Sequence, residues 1–154
     1  MHPSLKILEE ELRQLHPGPF AGAEFPPRCF LSMKAEFVEY ESRKSLTIRL
    51  PVPESSLNPL QAMQGGFITA ALDNAFGPLS YLAAGKPCVT LDLTTQYLRP
   101  VKAGDELRIR ATVISRGRNA IYMTAEALNS RGKLVAVAES NALVVVDSME
   151  GTKT

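Results

Sequence analysis

Residues 64–84 read QGGFITAALDNAFGPLSYLAA, and the one charge in them, Asp73, is also the one charge between Glu54 and Lys86. From Phe67 to Ala84, apolar residues fall on every side of a helical wheel. A helix that is apolar all round is normally buried, so this stretch predicts a single central helix. Gly77 and Pro78 are expected to kink it or to end its first half, because proline lacks a backbone donor and clashes with the preceding turn.

On the C-terminal side the pattern changes to strands and stays there. Cys88 to Leu98, Glu106 to Ser115, Asn119 to Asn129 and Lys133 to Val146 show alternating or continuous apolar residues, with turn signals at KAGD, RGRN and NSRG between them. On the N-terminal side, Phe30 to Tyr40 and Lys44 to Val52 are two further strand candidates joined by the short ESRK turn. Pro3 to Leu15 spaces Leu5, Leu8, Leu12 and Leu15 as an amphipathic helix, and His16 to Pro27 is a Pro/Gly-rich connector. The division expected is 1–27 for the N-terminal helix and connector, 28–147 for the main domain, and 148–154 for a polar tail. An antiparallel sheet with its helices on one side is an α+β layer architecture.

The chain has 154 residues, with 17 Lys plus Arg against 16 Asp plus Glu, so it presents no basic field for a nucleic acid. No run approaches the roughly 18 apolar residues that span a bilayer, and the start lacks the apolar centre of a secretory signal, so a cytoplasmic protein without a membrane partner is expected. Cys29 and Cys88 belong to no metal-binding or redox spacing and read as ordinary buried thiols; no metal and no cofactor are expected. Both histidines, His2 and His16, precede the expected core, and without a core histidine a Ser-His-Asp hydrolase is a poor reading.

Two constellations remain. A lone carboxylate in an apolar helix is expensive unless it is paired, hydrogen-bonded or protonated, so Asp73 is either a satisfied structural group or a general base or nucleophile. Gln64, Gly65 and Gly66 stand at the start of the same helix. That start offers unpaired N–H groups and the positive end of the macrodipole to an oxyanion, and the glycines let a ligand approach the backbone. The other reading is a glycine turn that only permits the helix to begin. Gly65 and Asp73 are eight positions apart, about 12 Å of helical rise, too far for both to reach one carbonyl group. If both act, the site lies across a two-fold interface between two copies of the chain.

The stretch from Asn58 to Pro100, NPLQAMQGGFITAALDNAFGPLSYLAAGKPCVTLDLTTQYLRP, followed by KAGDELRIRATVISRGRN, resembles the PaaI-type hotdog acyl-CoA thioesterases. In that family an Asn lies upstream, HGG opens the helix, a helical Asp follows eight residues after the first Gly, and a strand ends in Tyr/Phe-x-x-Pro. The resemblance implies a hotdog fold, in which the sheet wraps a long helix, and hydrolysis of an acyl-CoA thioester by a homodimer or homotetramer. Coenzyme A would then be part of the substrate. It implies that Asp73 activates water or attacks the thioester carbon, and that the Gly65 N–H receives the thioester oxygen. Asn58 matches the family Asn near the nucleophile, and Thr90 matches a Ser/Thr position that helps hold the attacking water. Arg99, Lys102 and Arg118 lie near turns where related proteins hold the CoA phosphates, an apt pairing for guanidinium and ammonium groups. The chain departs from the motif at Gln64, which replaces the His; an amide donates a hydrogen bond but does not exchange protons near neutral pH. That departure keeps a second reading open, a non-catalytic acyl-CoA or fatty-acyl binding protein. A hydratase is disfavoured, since that chemistry pairs a histidine with a carboxylate.

Overall fold

The computed structural model describes residues 3–15 and 23–145. Their elements are α1 (Pro3–Leu15), α2 (Arg28–Ser32), β1 (Glu36–Glu41), β2 (Ser45–Pro51), α3 (Gly65–Ala84), β3 (Cys88–Tyr97), β4 (Glu106–Arg116), β5 (Ala120–Leu128) and β6 (Leu134–Val144). His2, residues 16–22 of the expected connector and residues 148–154 of the expected tail lie outside the described residues.

The strands form one antiparallel sheet in the order β1-β2-β4-β5-β6-β3. Alternation in β4 explains its seat: Leu107, Ile109 and Ala111 are fully buried while Arg108 and Arg110 are exposed. The buried side chains of β2, β4, β5 and β6 meet Leu72, Ala75, Phe76 and Leu79 of α3 in one core. This is the expected α+β hotdog arrangement. At the β1 edge, α1 covers the sheet through buried Leu8, through Ser4 Oγ accepting from the Tyr40 N–H at 3.1 Å, and through Glu11 accepting from the Tyr40 hydroxyl at 2.5 Å.

Three local expectations are corrected. The strand expected from Phe30 begins only at Glu36, because the chain first makes the helical turn α2, with the Phe30 and Leu31 N–H groups both on the Pro27 carbonyl. The turn puts Phe30 in the core, stacked on Phe37 at 4.5 Å, and Lys34 ends it in the left-handed region with φ 53°, without the glycine that usually signals such an end. Second, α3 does not end at Gly77 and Pro78 but continues to Ala84, with its apolar face packed on the sheet. Third, α3 is not buried on all sides: Gly66, Phe67, Ala70 and Asp73 are exposed along one stripe.

That stripe lies beside β3, the edge strand whose outer side pairs with no described strand. Val89 is 51 % exposed, Leu91 63 % and Tyr97 51 %. A long apolar edge with unpaired backbone groups invites another strand.

The loop between β3 and β4 is tied back to the α3 side of the molecule. Val101 accepts from the Met63 N–H at 2.8 Å, and the Asp105 carboxylate accepts from the N–H groups of Glu106 at 2.7 Å and Ser130 at 3.1 Å. Hydrogen bonding from Ser130 holds the Asp105 carboxyl below its ordinary range. A carboxyl whose folded pKa is depressed stabilises the fold above its unfolded pKa, and that contribution disappears as pH falls through the folded value. Thermal melts from neutral to acid pH should therefore show Asp105→Asn less stable than the parent at neutral pH and converging on it in acid.

Candidate active site

Asp73 lies in the third turn of α3, and its Oδ1 accepts a 3.2 Å hydrogen bond from the Thr90 hydroxyl of β3. The register of β3 against β6 shifts between Thr90 and Asp92, a bulge that locally re-aims the strand. Asp73 is exposed in the single chain, not buried as the apolar sequence around it suggested. The cause is the open stripe of α3, where the neighbouring exposed groups are also apolar. Asp92, next to the bulge, pairs through its carboxylate with Asn141 of β6 at 3.1 to 3.2 Å.

The start of α3 forms a second cluster. Gln64 is the N-cap residue in extended conformation, and its side chain makes no capping bond. Its carbonyl accepts from Phe67 and Ile68, and its N–H donates to Ser56 O at 2.8 Å. Gly65 is the first helical residue, a position whose N–H has no acceptor within the helix. A Cβ there would lie 2.9 Å from Tyr97 Cζ, so only glycine fits beneath that ring. Tyr97 is fixed by a 2.5 Å hydrogen bond between its hydroxyl and Thr69 Oγ1, and Thr69 also donates to Thr95 Oγ1 at 3.0 Å. At Gly66 a Cβ would meet nothing within 4 Å, so steric closeness within the chain does not demand that glycine.

Asn58 belongs with this second cluster and builds the loop leading to it. Its Oδ1 accepts from the N–H groups of Leu60 at 2.9 Å and Ala62 at 3.2 Å. Asn58→Ala leaves the N–H of buried Ala62 without that acceptor, while the exposed Leu60 N–H turns to water, and should lower stability by about 1 kcal/mol. Asn58→Asp keeps an acceptor and should fold normally. A fall in activity in Asn58→Asp at unchanged melting temperature would assign a second task to the lost amide donor.

The single chain thus joins Asp73 with Thr90 and sets Gln64 and Gly65 at the end of the loop that Asn58 builds, but leaves Asp73 and Gly65 about 12 Å apart along α3. The basic residues divide as well. Arg118 lines a hollow of about 290 Å³ with Arg43, Lys86 and Arg116, at the end of α3 where Arg43 and Arg116 both donate to Ala83 O at 3.2 Å. Arg99 and Lys102 lie near the start of β4, and its eleven residues separate them from Arg118 by about 34 Å at the usual strand rise. Arg99 donates to Leu134 O at 2.8 Å.

A cleft of about 380 Å³ runs from Asp73 and Thr90 past Asn74, Gly77 and Pro78 to Tyr81, Cys88 and Phe25. A larger hollow of about 720 Å³, between α1 and β1, shares Phe25 with it but contains neither Asp73 nor Thr90. The cysteines, distant in sequence, both line the Asp73 cleft. Cys88 is buried, and burial pushes its thiol pKa up; Cys29 is exposed, contrary to the expected pair of buried thiols. Asn74, unnoticed in the sequence, pins α2 to α3 through Met33 Sδ at 3.2 Å and Cys29 Sγ at 3.4 Å. Nothing but its place beside Asp73 would have drawn attention to it.

The thioesterase superfamily matches residues 61–136. A solved candidate thioesterase of Ralstonia eutropha, described as related to phenylacetic acid degradation, is 31 % identical, with a TM-score of 0.72 over 87 % of this chain and 98 % of that one. The PaaI protein of Escherichia coli shares the fold, with a TM-score of 0.78 over 90 % of this chain and 96 % of its own, at 21 % identity. Mouse acyl-coenzyme A thioesterase 13 is 28 % identical over 60 % of this chain and 68 % of its own length.

Proposed function

The chain belongs to the thioesterase superfamily, and we propose that the bond it hydrolyses is the thioester of an acyl-CoA, in a site shared by two copies of the chain. The observation that carries this reading is the pairing of Asp73 with the Thr90 hydroxyl on the open stripe beside an uncovered strand edge. The relationship to mouse acyl-coenzyme A thioesterase 13 supports the choice of thioester.

The two half-sites suggest how the copies meet. Gly65 touches Tyr97 at the C-terminal end of β3, whereas Asp73 touches Thr90 near its N-terminal end. A two-fold axis near the middle of β3 pairs the strand with its own copy in antiparallel sense. Thr90 of one subunit then lies beside Tyr97 of the other, which brings Asp73 towards the partner's Gly65. The same rotation carries the partner's Arg99 and Lys102 towards Arg118, Lys86, Arg43 and Arg116, a setting for the CoA phosphates. The apolar surface of Val89 and Leu91 is covered in the same step.

Chemically, the Thr90 hydroxyl and the Asp73 carboxylate hold a water, and Asp73 takes its proton as the oxygen attacks the thioester carbon. The developing oxyanion faces the N–H of the other subunit's Gly65, aided by the helix dipole, with the Gln64 amide and Gly66 alongside. Asn58 steadies that glycine turn. Collapse of the intermediate breaks the C–S bond, expels CoA as the thiolate, which takes up the proton held by Asp73, and leaves the carboxylic acid. Direct attack by Asp73 uses the same carboxylate and a second step with water. Neither route calls for a metal or a further cofactor. Release of free CoA thiol from a panel of acyl-CoAs by the purified protein tests the reading. Binding without release from any member would replace it with a non-catalytic acyl-CoA binding protein.

A further inference from the structure

We propose that Tyr81, backed by Phe25, is the end stop of the acyl cleft and restricts this chain to compact acyl groups; the proposal rests on the thioesterase reading above. Tyr81 follows Asp73 by eight residues on α3, about 12 Å of rise. Helical side chains lean towards the helix N-terminus, so the Tyr81 ring reaches back towards Asp73 and shortens the trough between them. Phe25 meets that ring edge to face, with centroids 5.8 Å apart and planes at 78°.

Volume points the same way. The cleft holds about 380 Å³, at the small end of the roughly 300–1,000 Å³ range of ligand sites, and part of it must take the thioester group. Beside the ring, the cleft wall is closed by Ser80, whose hydroxyl bonds Gly77 O at 2.7 Å, and by Cys88, buried against Ser80 O. A long chain entering beside Asp73 meets two aromatic rings before it is accommodated, whereas a short chain or a single ring fits in front of them.

The test is release of CoA thiol from acetyl-, hexanoyl-, benzoyl-, decanoyl- and palmitoyl-CoA by the full chain and by Tyr81→Ala, Tyr81→Phe and Phe25→Ala. The parent should favour the compact members. Tyr81→Ala should raise the kcat/KM ratio of decanoyl- to hexanoyl-CoA by about tenfold or more, since single methylenes in apolar pockets are worth about 10- to 200-fold. Tyr81→Phe, which keeps the ring, should retain the parent's order. Phe25 lies in an irregular segment, so Phe25→Ala opens the same wall even if Tyr81→Ala fails to fold. A parent that prefers palmitoyl-CoA, or folded Tyr81→Ala and Phe25→Ala with the parent's chain-length profile, would overturn the end stop and leave the thioesterase reading intact. A folded parent that releases no thiol from any member would overturn both.

Discussion

Asp73→Asn is expected to lower kcat for acyl-CoA hydrolysis by about 10² to 10⁴, the usual contribution of a positioned general base, with little change in KM. The amide has the same shape, and its Oδ1 can still accept the Thr90 hydroxyl bond that the carboxylate accepts at 3.2 Å. Asp73 is exposed on the open stripe of α3 and supports no part of the core, so the variant should fold and melt like the parent. What it loses is the capacity to take a proton from water or to attack carbon. Steady-state thiol release checks this, with circular dichroism as the control for folding. A kcat within a few-fold of the parent would remove Asp73 from the chemistry.

Gly65→Ala should cost about 10² to 10³ in kcat, the measured scale for losing one oxyanion donor. The added Cβ would sit 2.9 Å from Tyr97 Cζ, 3.0 Å from Cε2 and 3.2 Å from the hydroxyl. Tyr97 is half exposed, and its ring moves aside only by giving up the 2.5 Å bond between its hydroxyl and Thr69. To the extent that the ring stays, the first turn of α3 shifts instead, and an oxyanion donor works only at about 2.7 to 3.1 Å from the developing charge. The explanation has its own check, because Gly65→Ala combined with Tyr97→Val removes the opposing ring. Kinetics of the double variant should show partial recovery. Equal loss in the single and double variants would mean that the alanine acts through something other than the ring.

Much of this was legible in the sequence because the signals were strong and local. The alternation in β2 and β4 and the lone Asp73 in an uncharged stretch gave the sheet, the central helix and the carboxylate. Where the sequence misled, several arrangements share one composition. An apolar helix reads the same whether its last side meets its own core or another subunit, so the exposure of Asp73 followed only from the uncovered β3 edge. The α2 turn was missed because Lys34 supplies a left-handed end that glycine normally advertises. The convergence of Phe25, Cys29, Tyr81 and Cys88 on one cleft is tertiary, joining segments more than fifty residues apart. Arg99 and Lys102 lie at the opposite end of β4 from Arg118 within one chain, a separation that spacing in the sequence does not display.

The sharpest measurement mixes the two damaged subunits. Chains carrying Asp73→Asn and Gly65→Ala, given different affinity tags and co-expressed, can be purified in sequence to isolate the mixed dimer. Each variant alone spoils both sites of its dimer. In a mixed two-fold dimer one site collects both substitutions and the other collects neither. Thiol release from the mixed species should therefore return to about half of the parent rate per dimer. A mixed dimer as inactive as the two single variants would contradict a site built from Asp73 of one subunit and Gly65 of its partner.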